Sequence, residues 1–69
     1  MTGKDIQKAI LDYLGTQAAP RSAKEIQRRL ENKGIFEMVS YFHSLISDLV
    51  KLQYIERLRI NEIDYYKIK

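Results

Sequence analysis

Few side chains in this sequence can act as nucleophile, base or metal ligand. His43 is its only histidine and cysteine is absent, which removes disulfides, thiolate metal sites and a cysteine nucleophile together. On a helix, Ser40 and Ser47 each lie one turn from His43, a spacing that brings a hydroxyl to an imidazole. No third group on that face would orient the ring and no oxyanion donors are evident, so catalysis is not expected. Gly3, Gly15 and Gly34 are too scattered to form a phosphate-cradling loop. The sequence therefore predicts a binding module with no metal and no cofactor.

Charge is the chemistry that remains. Twelve Lys/Arg against nine Asp/Glu leave a net charge of +3. Residues 20–33 alone carry that +3, as Arg21, Lys24, Arg28, Arg29 and Lys33 against Glu25 and Glu31. Residues 35–55 hold only Lys51 against Glu37 and Asp48, a net of −1. A basic cluster suits a polyanion such as nucleic acid, although a solvated helix face has the same composition.

Three helices and a hairpin must position these groups. Ile6, Ala9, Ile10, Tyr13 and Leu14 keep the spacing of a one-faced helix over about residues 3–14, closed by Gly15. A loop then runs to Pro20, which forbids helical continuation. Ser22-Ala23-Lys24-Glu25 forms a capping box. Ala23, Ile26 and Leu30 stripe a short helix over about 23–32 that Asn32-Lys33-Gly34 stops, with Lys24 and Arg28 on its opposite side. In the third segment Ile35, Met38, Val39, Phe42, Leu45, Ile46, Leu49 and Leu52 keep helical spacing. No Ser, Thr, Asp or Asn caps its early end, so its start falls between Phe36 and Val39, and 36–52 is the favoured range.

After Gln53 the period falls to two, which predicts a hairpin over about 54–69. Leu58 and Ile60 alternate with Arg57 and Arg59, and Tyr66 and Ile68 with Tyr65, Lys67 and Lys69. For Leu58 to oppose Ile68, and Ile60 to oppose Tyr66, the loop must be odd in length. A three-residue loop at Glu62-Ile63-Asp64 meets that condition and a two-residue Asn61-Glu62 turn does not. Tyr66 is expected in the core and Tyr65 partly exposed. With 45% hydrophobic residues in 69, the chain is expected to form one domain over 1–69. A chain this short buries roughly 60% of its unfolded surface, so each core position counts. No apolar run approaches the roughly 20 residues of a membrane span and no leader is apparent, so a cytoplasmic location is expected.

Helix, loop, capped short helix, apolar helix and hairpin is an order that resembles the winged helix-turn-helix DNA-binding superfamily. The run Ser22-Ala23-Lys24-Glu25-Ile26, followed by Leu45, Leu49 and Tyr54-Ile55-Glu56-Arg57, is similar to its segment pair of capped helix and recognition helix leading into a wing. The resemblance covers Ile6 to Ile68 and is specific for the fold, with no subgroup identified. It implies an α+β class: a small winged helix-turn-helix of three helices plus a C-terminal β-hairpin wing. Gln53 stands where many relatives have glycine, the wing tip carries Glu62 and Asp64, and the sequence stops at the second wing strand, without the fourth helix many relatives use to dimerise.

The resemblance implies double-stranded DNA as partner, with the third helix in the major groove and a role in transcription regulation at the nucleoid. Base reading would fall to Ser40, Tyr41, His43, Ser44 and Ser47, and backbone contacts to Arg21, Lys24, Arg28, Lys51, Arg57 and Arg59. Serines read weakly, and no Arg or Asn lies on that face for bidentate contacts. The acids at the wing tip would repel phosphates, so the wing is expected to flank the duplex. Specificity from so small a unit favours a homodimer on a palindrome, with Phe36, Val50 or the outer face of the first helix as contacts. The alternative is a winged-helix protein-interaction module docking on a larger partner. The acidic third helix, the acidic tip and the off-stripe Phe36 and Val50 favour it.

Overall fold

A computed structural model describes residues 2–69; Met1, within the expected domain, lies outside them. The elements are α1 (Gly3–Gly15), β1 (Arg21–Ser22), α2 (Ala23–Asn32), α3 (Val39–Lys51), β2 (Ile55–Ile60) and β3 (Ile63–Ile68). The strands form one antiparallel sheet in the order β1-β3-β2.

Helix α1 starts on a capping box that the sequence reading passed over. The Thr2 amide donates to the Asp5 carboxylate at 3.0 Å, and the Asp5 amide donates to Thr2 Oγ1 at 3.3 Å. Its buried residues are Ile6, Ile10 and Leu14, one stripe at helical spacing. Gly3 lets α3 approach closely: a methyl there would meet Tyr41 Oη at 2.7 Å and a Leu45 methyl at 3.2 Å. The Gln7 amide also donates to the Leu45 carbonyl at 3.2 Å, tying the two helices. Helix α2 buries Ile26 and Leu30 and ends where Gly34 turns left-handed at φ 84°.

Helix α3 begins at Val39 rather than Phe36 and ends at Lys51 rather than Leu52. The Ile35 amide bonds back to the Leu30 carbonyl at 2.9 Å, holding residue 35 in the exit from α2. Met38 takes the N-cap position in extended conformation with no side-chain cap. The apolar stripe is correspondingly shorter than its sequence spacing suggests. Phe42, Leu45, Ile46 and Leu49 are buried and Ile35 packs against them, while Met38, Val39 and Leu52 are exposed. Val50 packs partly against the core, whereas Phe36 is 72% exposed.

The hairpin register differs from the expected one. Strands β2 and β3 pair Ile55 with Ile68, Arg57 with Tyr66, Leu58 with Tyr65 and Ile60 with Ile63. The loop is the two-residue Asn61-Glu62 turn, with φ of 51° and 65°. Two positive φ values match the turn that the strand twist prefers, and asparagine tolerates that region. Opposed residues share a face, so Ile55, Arg57 and Arg59 lie with Ile68, Tyr66 and Asp64 on the core side. Leu58 and Ile60 lie with Tyr65 and Ile63 on the outer side. The buried pair that fills the core from the sheet is Ile55 and Tyr66, so the expected opposition of Leu58 to Ile68 and Ile60 to Tyr66 does not form.

The two-residue strand β1 pairs Arg21 with Tyr66 and Ser22 with Tyr65. One hydrophobic cluster unites α1, α2, α3, Ile55 and Tyr66, and no polar or charged residue among those described is buried.

Leu49 is 2% exposed, so Leu49→Ala is expected to cost about 2–5 kcal/mol through a core cavity. Chemical denaturation checks this, and a parent-like midpoint would refute the packing described. Glu62 occupies a left-handed position at a cost that glycine avoids, so Glu62→Gly should stabilise by about 1 kcal/mol. In a domain of this size that raises the melting temperature by about 4–8 °C in a thermal scan.

Candidate nucleic-acid interface

An open groove of about 440 Å³ runs between the start of α2, the flank of α3 and the wing tip. Ser22 and Lys24 form one wall, His43 stands on the α3 side, and Glu62 to Tyr66 close it from the wing.

The start of α2 is held firmly. The Ser22 amide donates to the Glu25 carboxylate at 3.1 Å while the Glu25 amide donates to Ser22 Oγ at 3.3 Å. These are the reciprocal bonds expected of Ser22-Ala23-Lys24-Glu25. The Ser22 amide, helped by the Arg21 guanidinium, holds the Glu25 carboxyl below the usual glutamate range. Arg21 spends its donors here, Nη1 on Glu25 at 3.2 Å and Nε on Gln17 at 2.9 Å. It is thus a structural cation before it is a ligand contact.

Of the other cations singled out in the sequence, Lys24, Arg28 and Lys51 are exposed and make no ion pair among the described residues. Lys24 lines the groove, Arg28 follows one turn later on α2, and Lys51 occupies the last turn of α3. The wing cations are engaged. Arg59 Nη1 lies 3.4 Å from Asp64 Oδ1, and the Arg57 guanidinium sits 5.7 Å from the centre of the Tyr66 ring. Cross-strand pairing also joins Lys67 to Glu56 at 3.3 Å on the outer face.

The expected reading residues do not all share one surface. Ser40, Ser44 and His43 are exposed on α3, Ser47 is half-buried, and Tyr41 leans across Gly3 toward α1. His43 packs edge-on against Phe42, with ring centres 6.1 Å apart. Among the described residues no hydrogen bond joins His43 to Ser40 or Ser47, and no group of three or more His, Cys, Asp or Glu could hold a metal ion. No helix described is long and apolar enough to cross a membrane.

Sequence reasoning read Phe36 as off the core stripe but missed the exposure of Met38 and Val39 beside the reading face, because their spacing extends the core stripe of α3. The missing cap before Val39 was the one signal that separated them from it.

Three helices followed by a hairpin, with a short strand at the start of the second helix joining the sheet, define a small winged-helix domain of α+β class. The chain is similar to the ferric uptake regulator Fur of Helicobacter pylori, whose structure is described as revealing three functional metal binding sites. That likeness has a TM-score of 0.78 at 16% identity and covers 99% of this chain and 58% of that one. Neither a protein-family model nor a curated protein matches the sequence.

The lowered Glu25 pKa links this corner to pH. A carboxyl whose folded pKa is depressed contributes stability that is complete above its unfolded pKa, about 4.3. That contribution is lost as pH falls through the lower folded value. Glu25→Gln, which keeps the geometry of the box, should flatten this part of the acid limb in urea titrations repeated below pH 5. An unchanged acid limb in the variant would contradict the assignment.

Proposed function

We propose that this chain is a duplex-DNA-binding module, acting as a small transcriptional regulator at the nucleoid and not as an enzyme. The observation that carries this reading is the groove joining α2, α3 and the wing, with Lys24 lining it without an ion pair among the described residues and Arg28 one turn beyond. Phosphates accept from lysine, arginine and helix-terminal amides, and such contacts set register without reading sequence. Lys24, Arg28 and Lys51 anchor the backbone. Arg57 and Arg59 add contacts along the core-side face of the wing, and Arg21 supports the α2 start. Ser40, Ser44 and His43 face the bases, with Tyr41 and Ser47 at the margins of that face. Glu62 and Asp64 keep the wing tip beside the duplex rather than in the minor groove. A two-fold homodimer on a palindrome supplies the specificity one copy lacks.

A second reading, docking on a protein partner, draws on the outer wing face. Ile60 and Ile63, each 50% exposed, lie there with Leu58 and Tyr65, and Ile63 and Tyr65 continue that apolar face into the groove wall.

Titration onto mixed-sequence duplex at several salt concentrations separates the two. DNA binding gives a linear fall of log K with log salt, and Lys24→Ala or Arg28→Ala reduces its slope by about one unit each. No binding at low salt, or a flat salt response, refutes the DNA reading and leaves the protein-docking one.

A further inference from the structure

The reading face of α3 holds none of the side chains that bond bases bidentately: it offers Ser40, Ser44 and His43, with the acid Asp48 also exposed on the helix. Helix-turn-helix proteins touch base edges chiefly with the N-terminal residues of the second helix. In this chain the first two of those positions are apolar. Met38, the N-cap of α3, is 75% exposed, Val39, its first residue, is 58% exposed, and neither packs against the core cluster. Val39 also stands one turn before His43 on the same flank of the helix, and His43 shares its groove with Lys24. Exposed apolar side chains therefore stand one helical turn from a groove whose other wall carries Lys24, a cation with no ion pair among the described residues.

Apolar groups cannot satisfy base donors or acceptors, and the apolar feature that the major groove displays is the C5-methyl group of thymine. A groove lined by Lys24, with exposed apolar side chains one turn along α3 from its His43 side, matches a phosphate strand flanking thymine-bearing base pairs better than it matches a purely apolar protein face. We infer that the chain selects thymine through its methyl group, with Met38 and Val39 as the specificity-determining contacts at the start of α3. The inference rests on the DNA-binding reading above and deepens it. Ser40, next along the helix, is short enough to let the backbone approach as closely as methyl contact requires.

The test enriches a random duplex pool on the full chain, then remakes the recovered sequences with deoxyuridine in place of thymidine, which removes only the methyl groups. Affinity should fall by about fourfold for each contacted methyl, the free energy of one buried carbon group. The double variant Met38→Ala, Val39→Ala, which should melt like the parent because both side chains are exposed, should bind the two duplexes equally. Equal binding of both duplexes by the parent, or enrichment of sites without thymine, overturns the inference while DNA binding stands. Failure to retain any duplex at low salt overturns both readings and assigns the apolar turn to a protein partner.

Discussion

Ser22 belongs to two elements at once, and the arrangement of the rest follows from that double membership. Its backbone pairs with Tyr65 in the sheet, while its hydroxyl and amide close the capping box of α2. No linker separates strand from helix, so the first turn of α2 takes its direction from the central strand of the sheet. Tyr66, next along β3, fills the core against the helices. The distance between the α2 start and the wing, and hence the width of the groove, is set by one residue. A connecting loop of several residues would have left that distance free to vary.

The elements with local chemical signatures were legible in the sequence. Ser22 and Glu25 mark the start of α2 because capping is a contact between residues three apart, and Gly34 marks its end because left-handed backbone favours glycine. What depended on distant partners was not. Arg21–Ser22 is too short to carry a periodic signal and exists as a strand only because β3 pairs with it. Leu58 and Ile60 look like core residues until Ile55 is seen to occupy the position opposite Ile68, and Glu62 at positive φ hides a two-residue turn. Met38 and Val39 continue the apolar period of α3 although they stand at its N-cap and first position, ahead of the turn that meets the core. At the candidate interface, the cations could be named from sequence, but not which of them a neighbouring carboxylate already holds.

That last distinction reshapes the electrostatics. Arg21 with Glu25, Arg59 with Asp64 and Lys67 with Glu56 are exposed or half-exposed pairs, each of small worth to stability. Their larger effect is on competition: a ligand anion meeting Arg59 must displace Asp64, whereas one meeting Lys24 displaces only water and counterions. The net +3 is thus less informative than its division between engaged and open groups. Left-handed backbone at Gln53, with φ 67°, shows a comparable compromise, since glycine adopts that region at less cost. The strain there falls on the turn between α3 and β2, away from the groove.

The strand order has a consequence for how the domain is made. Strand β3 is the last element described in the chain yet the central one in the sheet, between β1 and β2. During synthesis from the N-terminus, Arg21–Ser22 has no strand to join until residues 63–68 have emerged, and Tyr66 enters the core after every helix has been made. Helices α1, α2 and α3 can associate beforehand, but the wing and the groove come into being together, at the close of translation of this segment. The groove is therefore the last part of the domain to be completed.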